Sequence, residues 1–362
     1  MYETTCIHCG CVLGEGEVFF FQDEVFCEDC FRELTVLCHH CGERIYRHDN
    51  AGDSDTVLCR QCASAYYIHC DRCDRLIYEE DAYYESDDDS TPYCYHCHKD
   101  NQSIHGYYFK PEPIFYGSGP RYFGVELEVD GAGEDYQNAR TVLEKANAME
   151  EHAYCKHDGS LNDGFELVTH PMSLEYHLHH MPWEKVLSCF KSMGYRSHDT
   201  DTCGLHCHIS RDSLGETLEE QEEVIARILY FFEKHWNELV RFSRRTLSQL
   251  DRWAARYGYQ DSPKEILKVA KGGYGRYACV NLSNADTIEF RIFRGTLKLN
   301  TLLATLQLID RICDVAMFLS DEELKRTTWS AFAAGCTQPE LVKYLKERRL
   351  YVNEPVTAEA EV

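Results

Sequence analysis

Pairs of polar side chains spaced two residues apart are the first feature of this sequence that could do chemistry. In the segment RYFGVELEVD, residues 121 to 130, Glu126 and Glu128 alternate with valine and leucine. A period of two predicts a β-strand that carries both glutamates on one face. On a surface strand such a pair would simply be solvated. Chemistry becomes the stronger interpretation because later segments repeat the pattern.

Three later segments also place ionisable side chains on one face of a predicted strand or across its turn. Such faces on hydrophobic strands cost stability unless the groups are paired or bind ions. Carboxylates with a histidine indicate a divalent-cation site, and a carboxylate-rich set favours Mg²⁺ or Mn²⁺ over zinc. Cys207 should face away from this site, which argues against a thiol nucleophile. The pairs are Glu126 with Glu128, Asp158 with Glu166, His206 with His208, and Glu289 with Arg291.

The first hundred residues carry a different metal-binding pattern. Thirteen of the 20 cysteines precede residue 98, and twelve of them form six C-x-x-C pairs, with Cys11 left over. The pairs recur as a threefold repeat, and each repeat is predicted to fold around one structural Zn²⁺. Cross-braced pairing stays open, whereas redox chemistry is disfavoured because no βαβ pattern surrounds the pairs. The predicted ligands are Cys6, Cys9, Cys27 and Cys30, then Cys38, Cys41, Cys59 and Cys62, then Cys70, Cys73, Cys94 and Cys97.

Length and charge exclude several classes of protein. A chain of 362 residues with 44% hydrophobic content can form two packed domains. The formal net charge is −24, and residues 1–105 hold 22 acidic against 7 basic residues, which disfavours a nucleic-acid partner. The sequence shows neither a signal peptide nor an uninterrupted apolar run of membrane-spanning length. We therefore expect a cytoplasmic protein with no membrane partner.

The elements that must position these residues predict an α+β fold. Three zinc units occupy about residues 1–34, 35–66 and 67–100, followed by a linker at 101–120, a second domain at 121–350 and an acidic tail at 351–362. In the second domain, alternating patterns predict strands at 121–130, on both sides of a turn at 158–163, at 204–210 and at 287–294. Helical periodicity is found at 134–151, 182–193, 218–242, 301–319 and 339–349.

Four motifs of the second domain resemble the amidoligase family of the glutamine synthetase and glutamate-cysteine ligase superfamily. The resemblance spans residues 121–320 and implies an antiparallel sheet whose concave face binds ATP, metal ions and a carboxylate substrate. It implies an ATP-dependent carboxylate-amine ligase that forms an amide or isopeptide bond through an acyl phosphate. The repeat region resembles zinc ribbons or LIM fingers, with a longer spacer than LIM fingers have. The four motifs are FGVELEVD, KHDGSLNDGFELVTHP, CGLHCHIS and NLSNADTIEFRIFRGTL.

The resemblance also implies roles for individual residues. One metal ion would be bound by Glu128, Asp158 and Glu166, although Asp158 is shorter than the glutamate of glutamine synthetase. A second ion, which holds the ATP phosphates, would be bound by Glu126, His206 and Glu289. The remaining roles are His208 beside the nucleotide and Arg276, Arg291 and Arg294 as cations that neutralise the transferring phosphoryl group, with Lys156 as a weaker candidate.

Two other functions remain open at this stage. The same acid and histidine cluster could serve a metal-dependent hydrolase that uses no nucleotide. The chain could also be a non-catalytic zinc scaffold, although retention of the whole ligand set argues against this. In the ligase hypothesis the zinc array recognises a protein or peptide partner, because an acidic array of this kind has little other evident use.

Overall fold

The computed structural model describes residues 4–14, 16–84, 90–101, 103–273 and 275–351. The chain forms two compact units, Met1–Gln102 (unit 1) and Ser103–Val362 (unit 2). The predicted acidic tail lies outside the described residues from residue 352 onward. No helix within the described ranges has both the length and the apolar character needed to cross a bilayer.

Unit 1 is built from short antiparallel hairpins and short helices. Helices α1 and α2 each begin directly after the first cysteine of a C-x-x-C pair. Cys27 and Cys59 serve as N-caps whose Sγ atoms accept the N–H of Cys30 and Cys62, both at 3.4 Å. The elements are β1 (Phe19–Phe21), β2 (Glu24–Phe26), α1 (Glu28–Leu34), β3 (Thr35–Leu37), β4 (Arg44–Tyr46), α2 (Arg60–Tyr66), β5 (Tyr67–His69), β6 (Leu76–Tyr78) and α3 (Tyr95–Asn101).

The apolar cores of unit 1 are too small to hold it together alone. One cluster contains only Ile45 and Leu58 besides three buried cysteines, and the cluster around Phe26 is of similar size. Units of about 30 residues usually need metal or disulfide cross-links to fold. The local structure of unit 1 therefore depends on its cysteines.

Unit 2 contains a seven-stranded sheet in which every pairing is antiparallel. This confirms the predicted mixed α+β class with a large antiparallel sheet. The strand order is β12-β13-β11-β7-β9-β8, and β10 pairs with β7. The strands are β7 (Tyr122–Asp130), β8 (Ala153–Lys156), β9 (Gly164–Thr169), β10 (Met172–Ser173), β11 (Gly204–Ser210), β12 (Val280–Asn281) and β13 (Thr287–Arg294).

Helices pack on the apolar face of the sheet, opposite the face that carries the polar side chains. Phe290 of β13 lies 5.6 Å from Phe232 of α7, and Phe293 lies 5.9 Å from Phe242 of α8, measured between ring centroids. The helices are α4 (Tyr136–Ala146), α5 (Leu174–His179), α6 (Trp183–Ser192), α7 (Leu218–Lys234), α8 (Trp236–Ser243), α9 (Leu247–Trp253), α10 (Pro263–Ala270), α11 (Leu299–Phe318), α12 (Asp321–Arg326), α13 (Trp329–Ala334) and α14 (Pro339–Glu347).

Three segments differ from the sequence expectation. Helix α4 ends at Ala146 because the Asn147 side chain bonds both backbone groups of Ala153, which turns the chain into β8. The predicted helix 218–242 is two helices, interrupted at the buried residue His235. Of the predicted linker 101–120, residues 103–120 belong to unit 2, where Ile104 and Tyr116 are buried.

Candidate active site and metal centres

The polar face of the sheet brings Glu126, His206 and Glu289 together. These residues come from the adjacent strands β7, β11 and β13, and His206 stands directly opposite Glu126 in the register. His206 Nδ1 lies 3.3 Å from Glu126 Oε2 and 3.6 Å from Glu289 Oε1. One ligand atom from each residue fits within 4.8 Å of the others, so this group could hold a metal ion.

A second group consists of Glu128, Asp158 and Glu166. Glu128 on β7 pairs in register with Glu166 on β9, and Asp158 lies in the turn between β8 and β9. One oxygen from each carboxylate lies within 4.8 Å of the others. The two groups adjoin, because Glu128 Oε1 lies 3.6 Å from His206 Nδ1 of the first group. The structure thus brings the six predicted ligands together, five on one face of the sheet and Asp158 from the adjoining turn.

Burial gives these carboxylates unusual acidities. Burial, followed by repulsion from Glu126, raises the pKa of Glu166 well above its ordinary value. Burial also raises the pKa of Glu128, and the charge of Asp158 adds to the rise. Burial alone would raise the pKa of Glu126, but the charges of His208 and His206 and the hydrogen bond with His206 outweigh it and hold this pKa well below its usual range.

The cationic side chains near the two groups do not cancel the full charge of the carboxylates. Arg291 is ion-paired with Glu289 on the same strand, and Lys156 Nζ lies 3.2 Å from Glu166 Oε1. Arg245 is buried near Glu128, and burial lowers its pKa to about 10. With all five carboxylates ionised, as metal ligands must be, and both imidazoles neutral, the acids exceed these three cations by two charges. Such an excess in a buried site indicates a place for added cations.

Gly204 and Arg245 belong to this site although the sequence analysis did not select them. The N–H of Gly204 donates to Glu128, and a Cβ at Gly204 would collide with both His206 and Arg245. Only a glycine lets the start of β11 pass this close to the imidazole. The glycine directly before the sequence L-H-C-H could have pointed to Gly204. Nothing in the sequence around Arg245, which follows the end of α8, pointed to that residue.

Both groups line one cavity of about 710 Å³. Its walls include aromatic residues that the sequence analysis also missed, among them Tyr107, Tyr154 and Trp253. Asn281 is a further missed residue, and its Nδ2 donates to Glu289 Oε2 at 2.7 Å. A cavity of this size accommodates a nucleotide-sized ligand.

The remaining predicted residues occupy three different positions. His208 lies in the cavity, with Nε2 at 3.2 Å from Glu126 Oε1, although this contact lacks hydrogen-bond geometry. Arg276 lies exposed at the rim, where its guanidinium bonds the hydroxyls of Tyr107 and Tyr277. Arg294 ends β13 beyond the lining of the cavity, and its Nη2 reaches the carbonyl oxygen of Thr200 at 3.5 Å.

Unit 1 contains three groups of four cysteines that could bind zinc. The second and third groups have the predicted members, Cys38, Cys41, Cys59 and Cys62, and Cys70, Cys73, Cys94 and Cys97. The first differs from the expectation, because the thiols within 4.8 Å of one another are those of Cys6, Cys9, Cys11 and Cys27. Cys30 is buried, and its thiol contacts those of Cys27, Cys9 and Cys6.

Comparisons with known proteins add little to this geometry. No family model matches the chain, and no curated protein matches it. Eleven chains of solved structures match. One is a bifunctional glutathione synthetase from Pasteurella multocida, with a TM-score of 0.29 and 15% sequence identity. The match covers 63% of the present chain and 46% of the synthetase chain, so this chain corresponds to less than half of that protein's length.

Proposed function

We propose that unit 2 is an ATP-dependent carboxylate-amine ligase with a fold like that of glutamine synthetase. The observation that carries this proposal is the meeting of two adjacent acidic groups, Glu126 with His206 and Glu289, and Glu128 with Asp158 and Glu166, in one cavity. The resemblance of the four sequence motifs to amidoligases supports the same assignment. The substrates would be ATP, a carboxylate and an amine, and the product an amide or isopeptide.

The donor atoms of the two groups fit Mg²⁺ or Mn²⁺. Five of the six residues offer carboxylate oxygens, which these hard cations prefer. When all five are ionised, their charge exceeds that of Arg291, Lys156 and Arg245 by two. When bound, the ions would screen the triphosphate and the substrate carboxylate from each other and from the protein's acids. Without that screening, attack of one anion on another would be strongly opposed.

The cationic side chains of the chain can then act in phosphoryl transfer. Arg291 and Lys156 line the cavity, where they are paired with Glu289 and Glu166 in the metal-free protein. There they would neutralise the phosphoryl group as the carboxylate attacks it. An amine would next displace phosphate from the acyl phosphate. Phosphoryl transfer asks little more of a protein than such positioning and charge neutralisation.

Unit 1 would hold three structural zinc ions and recognise a protein or peptide partner. Its charge supports a partner of basic character, because residues 1–105 hold 22 acidic against 7 basic residues. Charge complementarity of this kind mainly increases the association rate and the specificity of binding. Deleting unit 1 should therefore weaken turnover on a partner substrate more than turnover on small amines.

The ligase proposal is tested by phosphate release. The purified chain with ATP, Mg²⁺ and a panel of carboxylates and amines should release phosphate together with an amide product identified by mass spectrometry. Glu126→Gln should lower the rate about 100-fold or more, as expected for loss of an electrostatic contact in the transition state. The control Glu144→Gln, on the exposed face of α4, should keep the wild-type rate. Equal rates for both variants would refute the site.

One observation favours metal-dependent hydrolysis as a second candidate function. His206 and His208 both approach Glu126, at 3.3 Å and 3.2 Å, and two imidazoles with a carboxylate are a common zinc ligand set. Two results together would support hydrolysis over ligation. The chain would bind a fourth zinc ion that is lost in His208→Ala, and calorimetry would detect no ATP binding.

A further inference from the structure

The first metal centre of unit 1 contains one more thiol than the other two. Cys9 Sγ lies 3.3 Å from Cys11 Sγ and 3.8 Å from Cys27 Sγ. Cys30 belongs to the same cluster, because its N–H donates to Cys27 Sγ at 3.4 Å and its thiol contacts the Cys27 and Cys9 thiols. Five thiols thus share a site at which zinc accepts four.

The three repeats allow a direct comparison of this position. In each repeat the first cysteine of the unit donates its N–H to the carbonyl of the residue five positions later, at 2.9 Å for Cys11, 2.8 Å for Glu43 and 2.9 Å for Arg75. The loop between these residues also contains a left-handed residue in all three units, with φ of 73°, 73° and 57°. The backbone is therefore the same, and the side chain at this position is what distinguishes the first centre.

Exposure also separates the five thiols. Cys6 and Cys30 are buried, at 2% and 6% exposure, whereas Cys9 and Cys11 are exposed. The extra thiol therefore lies beside the ligand that solvent and other molecules can reach. A neighbouring thiol can enter the coordination sphere as a bound thiolate leaves. The incoming thiol gives up a proton and the departing thiolate takes one up, so charge and atoms balance.

We propose that Cys11 is an exchange ligand of the first metal centre, which makes this centre the kinetically labile zinc site among the three. Metal bound there passes between overlapping sets of four thiols, and the exposed Cys9 and Cys11 pair is the route by which an external thiol or nitrogen ligand removes it. The second and third centres have Glu43 and Arg75 at the corresponding position and hold their zinc more firmly. This inference does not depend on the ligase activity of unit 2.

Zinc release to a colorimetric chelator from the full chain loaded with three zinc ions tests this directly. The wild-type chain should release one zinc ion fast and two slowly, with release rates that differ at least about tenfold. Cys11→Ser should keep three zinc ions but lose the fast equivalent. Glu43→Cys, which gives the second centre the same extra thiol, should add a second fast equivalent. A Cys11→Ser variant with unchanged kinetics, or one that binds only two zinc ions, would overturn the proposal.

A matched pair of ligand variants tests the same idea without kinetics. Cys30→Ser should still bind three zinc ions, because Cys11 completes the first centre. Cys62→Ser, the equivalent change in the second unit, should bind two, because no spare thiol is present at position 43. Cobalt substitution gives an independent readout, since the intensity of the thiolate-to-cobalt absorption follows the number of bound thiolates. Loss of one metal ion from both variants would contradict the proposal.

Discussion

Replacing Glu128 by glutamine should stabilise the metal-free protein and weaken its stabilisation by Mg²⁺. The carboxylate oxygens of its group lie within 4.8 Å of one another. Two unit charges at that distance repel by about 3 kcal/mol at an effective dielectric constant of about 20. Glu128 has two such neighbours, Asp158 and Glu166, and is offset in part by Arg245. Since glutamine can still accept the N–H of Gly204, we expect a net gain of about 1–3 kcal/mol in the free energy of unfolding.

The sign of the pH dependence follows from the raised pKa of Glu128. A carboxyl group whose pKa is higher in the folded than in the unfolded state costs stability as pH rises through the unfolded value toward the folded one. The difference between Glu128→Gln and wild type should therefore be small near pH 4 and grow toward neutral pH. If the stability difference instead shrank or reversed toward neutral pH, the charge of Glu128 would already be compensated by other groups of the protein.

Urea unfolding of the metal-free and Mg²⁺-loaded proteins measures both effects. Wild type should gain stability with Mg²⁺, whereas Glu128→Gln should gain less, because one ligand of the second group is missing. The surface control Glu144→Gln should change stability by no more than about 0.5 kcal/mol and keep the full Mg²⁺ response. A metal-free Glu128→Gln protein that is less stable than wild type, or an equal Mg²⁺ response in both, would refute this reasoning.

Three further changes probe the site and the zinc array. Arg291→Gln should lower phosphate release about 100-fold or more, measured at saturating ATP, because a cation at the transferring group is lost; an unchanged rate would place phosphoryl transfer elsewhere. Gly204→Ala should lower the free energy of unfolding, measured with urea, by about 1–3 kcal/mol because the new methyl group displaces His206 and Arg245. An unchanged free energy of unfolding would contradict the close packing at Gly204. Removing zinc with a chelator should abolish amide protection in unit 1 but leave unit 2 protected, as followed by hydrogen exchange, because the two units have separate cores; equal loss of protection in both units would contradict this.

The strands of the site could be predicted because their polar and apolar residues alternate. The predicted segments 204–210 and 287–294 coincide with β11 and β13. A sheet with one apolar face requires that alternation, so the sequence also indicated which side chains share a face. Five of the six acidic and imidazole residues meet on the polar face for this reason, and Asp158 joins them from the turn between β8 and β9. Their roles as metal ligands stay a prediction.

Tertiary packing determined what the sequence did not reveal. Helices α5, α9, α12 and α13 are six or seven residues long and too short for a clear 3.6-residue period. Capping boxes at Thr246 and Ser320 were usable signals for two of them. The Gly, Pro and Ser content of residues 101–120 suggested a linker, but Ile104 and Tyr116 are buried in unit 2.

Manganese and a non-hydrolysable ATP analogue bound in a crystal of the full chain would test the central claim most directly. Anomalous scattering should reveal two manganese ions in the cavity, one bound by Glu126, His206 and Glu289 and the other by Glu128 and Glu166 with the neighbouring aspartate. The triphosphate should lie against them. A cavity that holds neither manganese nor nucleotide, or that holds a single zinc ion at His206 without nucleotide, would contradict the proposed ligase.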